Sequence, residues 1–511
     1  MTSTPPSPVI TERQSPDTFD SLDPATGEVT GTYPVHDAEA VDMAVVRARA
    51  AAGFWSRLSF AERGRRLTMW AAVLTRRMGQ LAELVHAETG KPHSDAQLEI
   101  VMAVEHITWA ARHAAKVLGP RRAPVGLLML HHTASVEYQP LGVVGVIGPW
   151  NYPVFTPVGS IAYALAAGNA VVFKPSEYTP GTGAWLVDTF AQVVPEQPVL
   201  QLVTGPGATG QALCRAGLDK IAFTGSAATG KQVMHACADG LVPVVIEAGG
   251  KDALLVDADA DIPAAADAAV WAGMFNAGQS CVGTERVYVH AQAYDAFLGE
   301  VTARVAGLRA GPGQKIGPMT TPAQSGVVRA HIAAALARGA TALVGGLDAA
   351  GERYVQPTVL LDVPEDCPAV TEETFGPTLT IAKVPDMDEA VRRANASSYG
   401  LGATVFSRAH GTQLARRIRA GLVAVNSVTI SLASMPSLPW GGTGQSGFGR
   451  IHGPDGLREF TAAKAIARQR FTLPPRLTTF ARTARADKAV ATLTTLRHGR
   501  ASILPPRSHR R

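Results

Sequence analysis

Cys281 ends the run Phe275-Asn276-Ala277-Gly278-Gln279-Ser280-Cys281, between a small, glycine-containing turn and the β-rich run Val287-Tyr288-Val289. A sulfur on such a junction is held at the mouth of a cleft, where it can meet a carbonyl carbon. Free cysteine also packs as a small apolar side chain, so Cys281 alone leaves both readings open. Its surroundings add a second reactive group. Glu247 opens the segment Glu247-Ala248-Gly249-Gly250-Lys251 directly after the apolar run Val242 to Ile246. Its carboxylate is therefore expected at the carboxyl end of a strand, where α/β proteins place their sites.

The elements that must position these groups can be read from periodicity. Ala38 to Ala52, Phe60 to Gly79 and Ala96 to Val117 are Ala-rich with apolar residues at helical spacing, and predict three successive helices. Met69, Trp70, Val73 and Leu74 are expected in the core, Asp23 to Gly27 forms a turn, and Gly90-Lys91-Pro92 marks a helix end. Short strands are expected at Leu127 to Leu130 and Ser135 to Tyr138. Gly142 to Ile147 is apolar and β-branched, as in a strand buried on both faces, and Ala170 to Phe173, Leu200 to Val203, Ile221 to Phe223 and Val244 to Ile246 follow it. Helices Gly159 to Ala167 and Gly183 to Val193 alternate with them. That alternation predicts a parallel, doubly wound sheet. A second α/β unit runs from about Gly250 to Pro439, with candidate strands Arg286 to His290, Thr341 to Val344, Thr378 to Val384, Ala403 to Phe406 and Leu422 to Asn426.

Composition sets the outer limits. The 511 residues suit two or three domains, and 46% apolar content with glycine and proline spread throughout suits an α/β enzyme. Four cysteines at unrelated spacings make neither a disulfide framework nor a zinc site, so no metal is expected and a reducing compartment follows. Met1 to Ser15 is polar, without the charged start and apolar core of a leader, and no apolar run reaches the roughly 18 residues of a spanning helix. A cytoplasmic protein is expected. The formal charge of +5 divides unevenly: from Arg468 onward there are eleven Arg or Lys and one acidic residue, Asp487, so the tail carries +10 and the rest −5. An acidic body argues against nucleic-acid binding and confines any membrane contact to the tail.

Seven segments together resemble the aldehyde dehydrogenase superfamily. They are Gly148-Pro149-Trp150-Asn151-Tyr152-Pro153, Lys174-Pro175-Ser176-Glu177, Phe223-Thr224-Gly225-Ser226, Glu247-Ala248-Gly249-Gly250-Lys251, Gly278-Gln279-Ser280-Cys281, Glu373-Thr374-Phe375-Gly376-Pro377 and Pro439-Trp440-Gly441-Gly442. They occur in the family's order and near its spacing, over about residues 20 to 465. The resemblance is general toward the succinate-semialdehyde branch. It implies an aldehyde dehydrogenase-like α/β fold: a doubly wound parallel-sheet cofactor domain (1–124 and 141–247), an α/β catalytic domain (248–440) and a small oligomerisation sheet (125–140 and 456–470). A basic tail, 471–511, lies beyond the pattern.

The chemistry so implied is NAD(P)-dependent oxidation of an aldehyde to a carboxylic acid. A bare carbonyl carbon holds no readily transferable hydride, so a thiolate must first add to give a thiohemiacetal, whose oxidation leaves a thioester. Cys281 matches the nucleophile, Asn151 the amide that faces the oxyanion together with the Cys281 backbone N–H, and Glu247 the base that activates water against the thioester. Family members that pass the acyl group to coenzyme A generally lack that glutamate, so a free acid is the expected product. Lys174, Ser176 and Glu177 follow a strand where a nucleotide would cross the sheet edge. A carboxylate there accepts both adenosine ribose hydroxyls and repels a 2′-phosphate, which favours NAD, with NADP possible because Lys174 and Ser176 lie near the same hydroxyls. Gly205 to Gly210 satisfies G-x-G-x-x-G, a frequent pattern when alone, and includes Gly207. The resemblance places the pyrophosphate nearer Thr224, Gly225, Ser226 and Thr229, at a helix N-terminus. Ile147, Pro149 and Trp150 line the same cofactor site, and Glu373 and Phe375 match the positions holding the nicotinamide ribose and ring.

Two departures stand out, Ala248 where leucine is usual and Gly444 where many members have lysine. The substrate pocket is expected near Tyr152, Phe155, Trp271, Phe275, Val282 and the loop Ile430 to Pro439. Such a lining suits a medium aliphatic or aromatic aldehyde; succinate semialdehyde is the alternative and needs a cation for its far carboxylate. A homodimer or homotetramer is expected. Leu477 to Leu496 is a possible basic helix in a tail that otherwise reads as a solvated extension. Readings of another class are a nucleotide-binding scaffold tethered by that tail, and a redox-sensing thiol at Cys281.

Overall fold

A computed structural model of the chain describes residues 17–472 and 478–499. The stretch Met1 to Ser15, read above as lacking a leader, and the parts of the tail at 473–477 and 500–511 lie outside the described residues. Among the described residues, a six-stranded and a seven-stranded sheet carry most of the molecule.

In the six-stranded sheet, Val143–Ile147 lies at the centre, with Ala170–Lys174 and Leu200–Leu202 on one side and Lys220–Gly225 and Val244–Ala248 on the other, all parallel. Chain order reverses beside Val143–Ile147. The carboxyl ends of Val143–Ile147 and Lys220–Gly225 therefore flank a topological switch point, where crossover helices leave in opposite directions and a crevice opens. Gly447–Phe448 adds a short antiparallel edge to Val244–Ala248, with Gly447 opposite Glu247.

The seven-stranded sheet runs Thr341–Val344, Thr358–Leu361, Thr378–Val384, Thr284–His290, Asp252–Val256, Gly402–Phe406, Leu422–Val425, parallel except for its first pair. The interior strand Asp252–Val256, beside the central Thr284–His290, is absent from the candidate strands named above, as is Thr358–Leu361. The four apolar residues Ala253 to Val256, so close behind Val244–Ala248, read as a continuation of that strand until Gly249 and Gly250 are given a chain reversal. Thr18–Leu22 and Val29–Pro34 form a hairpin around the expected turn at Asp23 to Gly27.

The helices depart from expectation mainly at their ends. Phe60–Arg76 begins in a capping box, Ser59 with Glu62, and buries Leu67, Trp70, Ala71 and Leu74 at helical spacing. Met69 falls on the opposite side of that stripe and is exposed, and Val73 is only partly covered, so neither belongs to the core expected for them. A separate helix, Met78–Thr89, takes over from the expected run to Gly79 and stops at Gly90 in the left-handed conformation. His93–Leu118, Phe155–Ala167 and Pro180–Val193 each begin three or four residues before the predicted start.

Pro120–Tyr138 and the chain from Ala463 form a second compact unit. Its sheet orders Thr461–Gln469, His132–Pro140 and Arg121–Ala123. Leu127–Met129 is a 3₁₀ turn rather than the predicted strand, for Gly126 and the exposure of all three side chains leave nothing for a strand to pair with or pack on. The tail helix is Ala484–His498, capped by Thr483. Among the described residues no helix is long and apolar enough to cross a membrane.

Candidate active site

A cleft of about 600 Å³ opens at the switch point. Strand ends supply Ile147 with Gly148, Pro149 and Trp150, then Lys174 with Ser176 and Glu177, then Thr224 with Gly225 and Ser226. Thr229 lies on one flanking helix, Ala227–Ala238, and Gly207 on the other, Gly207–Arg215. Eleven of the thirteen residues expected to bind a cofactor thus line one cavity. Ser226 caps the helix behind it by accepting from the Thr229 N–H, so the helix N-terminus with its outward amides faces the cleft. Gly225 is required here: a Cβ would come within 2.6 Å of the Phe223 ring.

Lys174 is a buried cation, bonded to the Pro175 carbonyl at 3.0 Å and 3.9 Å from the Glu177 carboxylate, which is itself partly exposed to the cleft. Burial lowers the ammonium pKa and Glu177 opposes that fall. A carboxylate and an ammonium side by side, with helix amides beyond them, fit the ribose and phosphates of a dinucleotide.

Glu373 and Phe375 stand apart from that lining. The Phe375 ring meets Trp150 edge-on at 5.6 Å between centroids, which sets it beside the Trp150 end of the cleft. Glu373 accepts from the Gly250 N–H at 2.9 Å, and a Cβ on Gly249 would lie 2.2 Å from its oxygen. Their loop is fastened by Glu285, which accepts from the Thr374 and Phe375 N–H groups and pairs with buried Lys251. Burial, reinforced by Glu285, pushes the Glu373 carboxyl up to about 8.

Cys281 and Glu247 line a second, much smaller cavity, with room for about one water, together with Met102, Tyr152, Phe155, Thr156, Val282, Ile430, Trp440 and Ile451. The chain reaches Cys281 through three consecutive left-handed residues, Asn276, Ala277 and Gly278. At Gly278 any Cβ would strike the Gly376 carbonyl at 2.0 Å. That contour brings Gln279 against Asn151, whose Nδ2 donates to the Gln279 carbonyl at 3.1 Å. Glu247 projects from the end of its strand and is 5% exposed, with Oε1 lacking any hydrogen-bond partner. Burial raises its pKa, moderated by the nearby Cys281 thiol and Trp440. The Cys281 thiol is pushed well above its ordinary value by burial, then by the Glu247 carboxylate and more distantly by Glu373 and Asp252. Glu247 and Cys281 thus share one cavity, and Asn151, which is in neither lining, reaches the same segment through its bond to the Gln279 carbonyl.

The structure corrects part of the expected pocket. Tyr152, Phe155, Val282 and Ile430 line it, whereas Trp271 and Phe275 stack on each other at 4.4 Å and are absent from the lining. The rest of the 430–439 loop faces elsewhere; the Ala433 carbonyl takes a bond from His106 and that of Pro436 from Tyr163. Met102, Thr156, Trp440 and Ile451 complete the walls without having been assigned there. Gly444, at φ 63°, leaves no space for a side chain, since a Cβ would lie 2.5 Å from the Ser398 carbonyl.

The aldehyde dehydrogenase family model matches residues 10–466. The chain belongs to the aldehyde dehydrogenase family. A relative from Mycobacterium ulcerans (strain Agy99), provisionally named succinate-semialdehyde dehydrogenase, NADP(+), 2, is 35% identical over 459 residues, 88% of each chain. Among solved structures, an NADP-dependent enzyme of E. coli superposes with a TM-score of 0.85 at 31% identity, over 88% of this chain and 95% of that one. PnpE, from Pseudomonas sp. WBC-3 and solved in complex with nicotinamide adenine dinucleotide, gives 0.84 at 33% identity over 90% and 96%. The enzyme is an NAD(P)-dependent aldehyde dehydrogenase.

Two further features of this dehydrogenase escaped sequence reasoning, the buried pairs Lys91–Glu99 and Lys251–Glu285. One signal was available for the first. Glu99 sits on the inward stripe of its helix with Ala96, Ile100, Ala103 and Ile107, a position where an ionised side chain must have a partner.

Proposed function

We propose that this enzyme oxidises uncharged, apolar aldehydes to free carboxylic acids, with Cys281 as nucleophile, Glu247 as base and Asn151 as oxyanion donor. The observation that carries the reading is the small cavity, where Glu247 and Cys281 face the same apolar space and no lysine, arginine or histidine joins them. The Cys281 thiol adds to the carbonyl carbon as its proton passes to Glu247, whose unpartnered Oε1 is available to receive it. With the thiol pKa raised, a neighbouring acceptor is needed at neutral pH. The oxyanion accepts from the Asn151 amide N–H left free by Gln279 and from the Cys281 backbone N–H. NAD(P), when bound in the larger cleft, accepts the hydride. Glu247, having released the thiol's proton to solvent, then deprotonates a water that attacks the thioester; the C–S bond breaks, the carboxylic acid departs, and the water's proton passes from Glu247 back to the sulfur.

A second reading, succinate semialdehyde as substrate, is favoured by the names of relatives. A far carboxylate in an apolar wall would be an unpaired buried charge, which opposes it. Initial rates over an aldehyde panel, with NAD and NADP in parallel, separate the two. The proposal expects kcat/KM for hexanal or benzaldehyde to exceed that for succinate semialdehyde at least tenfold (about 1.4 kcal/mol). The reverse order overturns it.

Residues 1–124 and 141–247 serve the cofactor, 248–440 catalysis, and 125–140 with 456–470 assembly into a homodimer or homotetramer in the cytoplasm. Support for assembly comes from the edge strand Thr461–Gln469, exposed along nearly its whole length, and from exposed Leu127, Leu128 and Leu130. NAD is the preferred cofactor on the strength of Glu177.

A further inference from the structure

The loop carrying Asn151 is gripped from below by a buried ion pair. Lys91 follows Gly90, which is in the left-handed conformation and where a Cβ would lie 2.2 Å from the Pro318 ring. Lys91 is 2% exposed. Its ammonium donates to Glu99 Oε2 at 2.6 Å and to the Asn151 backbone carbonyl at 2.7 Å, and lies 4.4 Å from the centre of the Tyr152 ring. Three acceptors thus surround one three-donor group. Glu99, fully buried, turns its other oxygen to the backbone N–H groups of Val154 at 2.7 Å and Phe155 at 3.0 Å. Those amides open the helix Phe155–Ala167, so a carboxylate satisfies donors that the helix itself leaves free. Asn276 Nδ2 adds a second donor to the Asn151 carbonyl at 3.2 Å.

The pair therefore holds residue 151 by its carbonyl and the chain three and four residues later by its amides. Between those two points the backbone of Asn151, and with it the direction of its side chain, has little freedom. Nothing in the pair reaches the small cavity, since neither residue lines it. We propose that Lys91 and Glu99 are positioning residues, which together set the Asn151 amide for the oxyanion. The inference rests on the assignment of Asn151 made above.

Lys91→Met alone strands a buried carboxylate and can fail by unfolding, so the test uses Lys91→Met combined with Glu99→Gln in the full-length enzyme. Glutamine keeps an oxygen for Val154 and Phe155, methionine keeps the volume, and no lone charge is left. The double variant is expected to fold, to bind NAD(P) as the parent does by fluorescence titration, and to lose about tenfold or more in kcat with aldehyde KM changed less than threefold. The same pair of replacements on an Asn151→Ala background should change kcat less than twofold, because the group being aimed is already gone. Equal losses on both backgrounds show a general structural role and overturn the proposal. A parent-like kcat in the double variant does the same. If Asn151→Ala by itself keeps parental kcat, the oxyanion assignment fails and the proposal with it, a result distinguishable from the other two.

Discussion

The cofactor cleft and the small cavity that holds Cys281 are built in opposite ways. The cofactor cleft is open, about 600 Å³, and assembled from strand ends, short loops and helix N-termini within residues 147–236. The acyl pocket is nearly filled and walled by side chains, and its lining runs from Met102 to Ile451. Backbone amides and strand ends are dictated by topology, so a cleft made of them tolerates many sequences around it. A pocket made of side-chain ends has its shape rewritten by single replacements. Cofactor use is thus a property of the fold, and substrate choice a property of a few residues.

The sharpest way to break this division is at the proposed nucleophile of the smaller cavity. Cys281→Ala should lower aldehyde oxidation by about 10⁴-fold or more while NAD(P) binding, followed by fluorescence, stays within threefold. Retention of turnover would remove the acyl pocket from the chemistry. Next, Glu247→Gln should cost about 10³-fold or more in steady state and slow the burst of reduced cofactor as well, because the thiol loses its proton acceptor and the water its base. The pH dependence has a definite sign. Burial raises the Glu247 pKa, the base works only when ionised, and kcat should therefore climb with pH through that raised value to a plateau. In Glu247→Gln the limb should vanish.

Smaller effects test each cavity separately. Met102→Ala should shift preference toward aldehydes one or two methylenes longer, by about tenfold in kcat/KM ratio, with the cofactor KM unchanged. Glu177→Gln should do the converse, improving kcat/KM for NADP relative to NAD by about fivefold without altering the aldehyde profile. Either variant moving both profiles together would blur the separation. The least effect concerns Asp252, buried close to the Cys281 segment. Its carboxyl is raised to about 8 by burial, far above the unfolded chain's value near 3.9. Between those values the folded enzyme keeps a proton that the unfolded chain has released, so stability from this group is fullest at low pH and is lost as pH rises toward 8. Asp252→Asn should flatten that decline, raising Tm at pH 8 by several degrees in thermal melts.

The same contrast explains what sequence reading reached. The proposed catalytic residues and the cleft residues lie on strand ends and turns, where local apolar runs, glycines and motif order announce them. That Cys281 and Glu247 share one cavity, and Lys174, Glu177 and Thr224 another, agrees with the grouping expected from sequence. Trp440 belonged to a motif but had no place in the expected pocket, and Trp271 and Phe275, expected there, stack on each other outside the lining of the small cavity. A helix period says that Trp271 has an apolar environment on one side, and cannot say that Phe275 will cover it. Met102 and Ile451 sit 349 positions apart, and no local pattern links them. Lys91 was taken only as part of a helix end because its partners, Glu99 and the Asn151 carbonyl, are fixed by tertiary packing.

The ladder between Gly447 and Glu247 carries a consequence for how the molecule comes into being. The strand bearing the base gains its outer neighbour, and the pocket gains Trp440 and Ile451, only after nearly nine tenths of the polypeptide has been made. A nascent chain on the ribosome, complete through the nucleotide cleft, still has its glutamate on an open edge and no closed chamber around its sulfur. The residues that line the larger cleft thus all precede, by more than two hundred positions, the last residues that wall the smaller one.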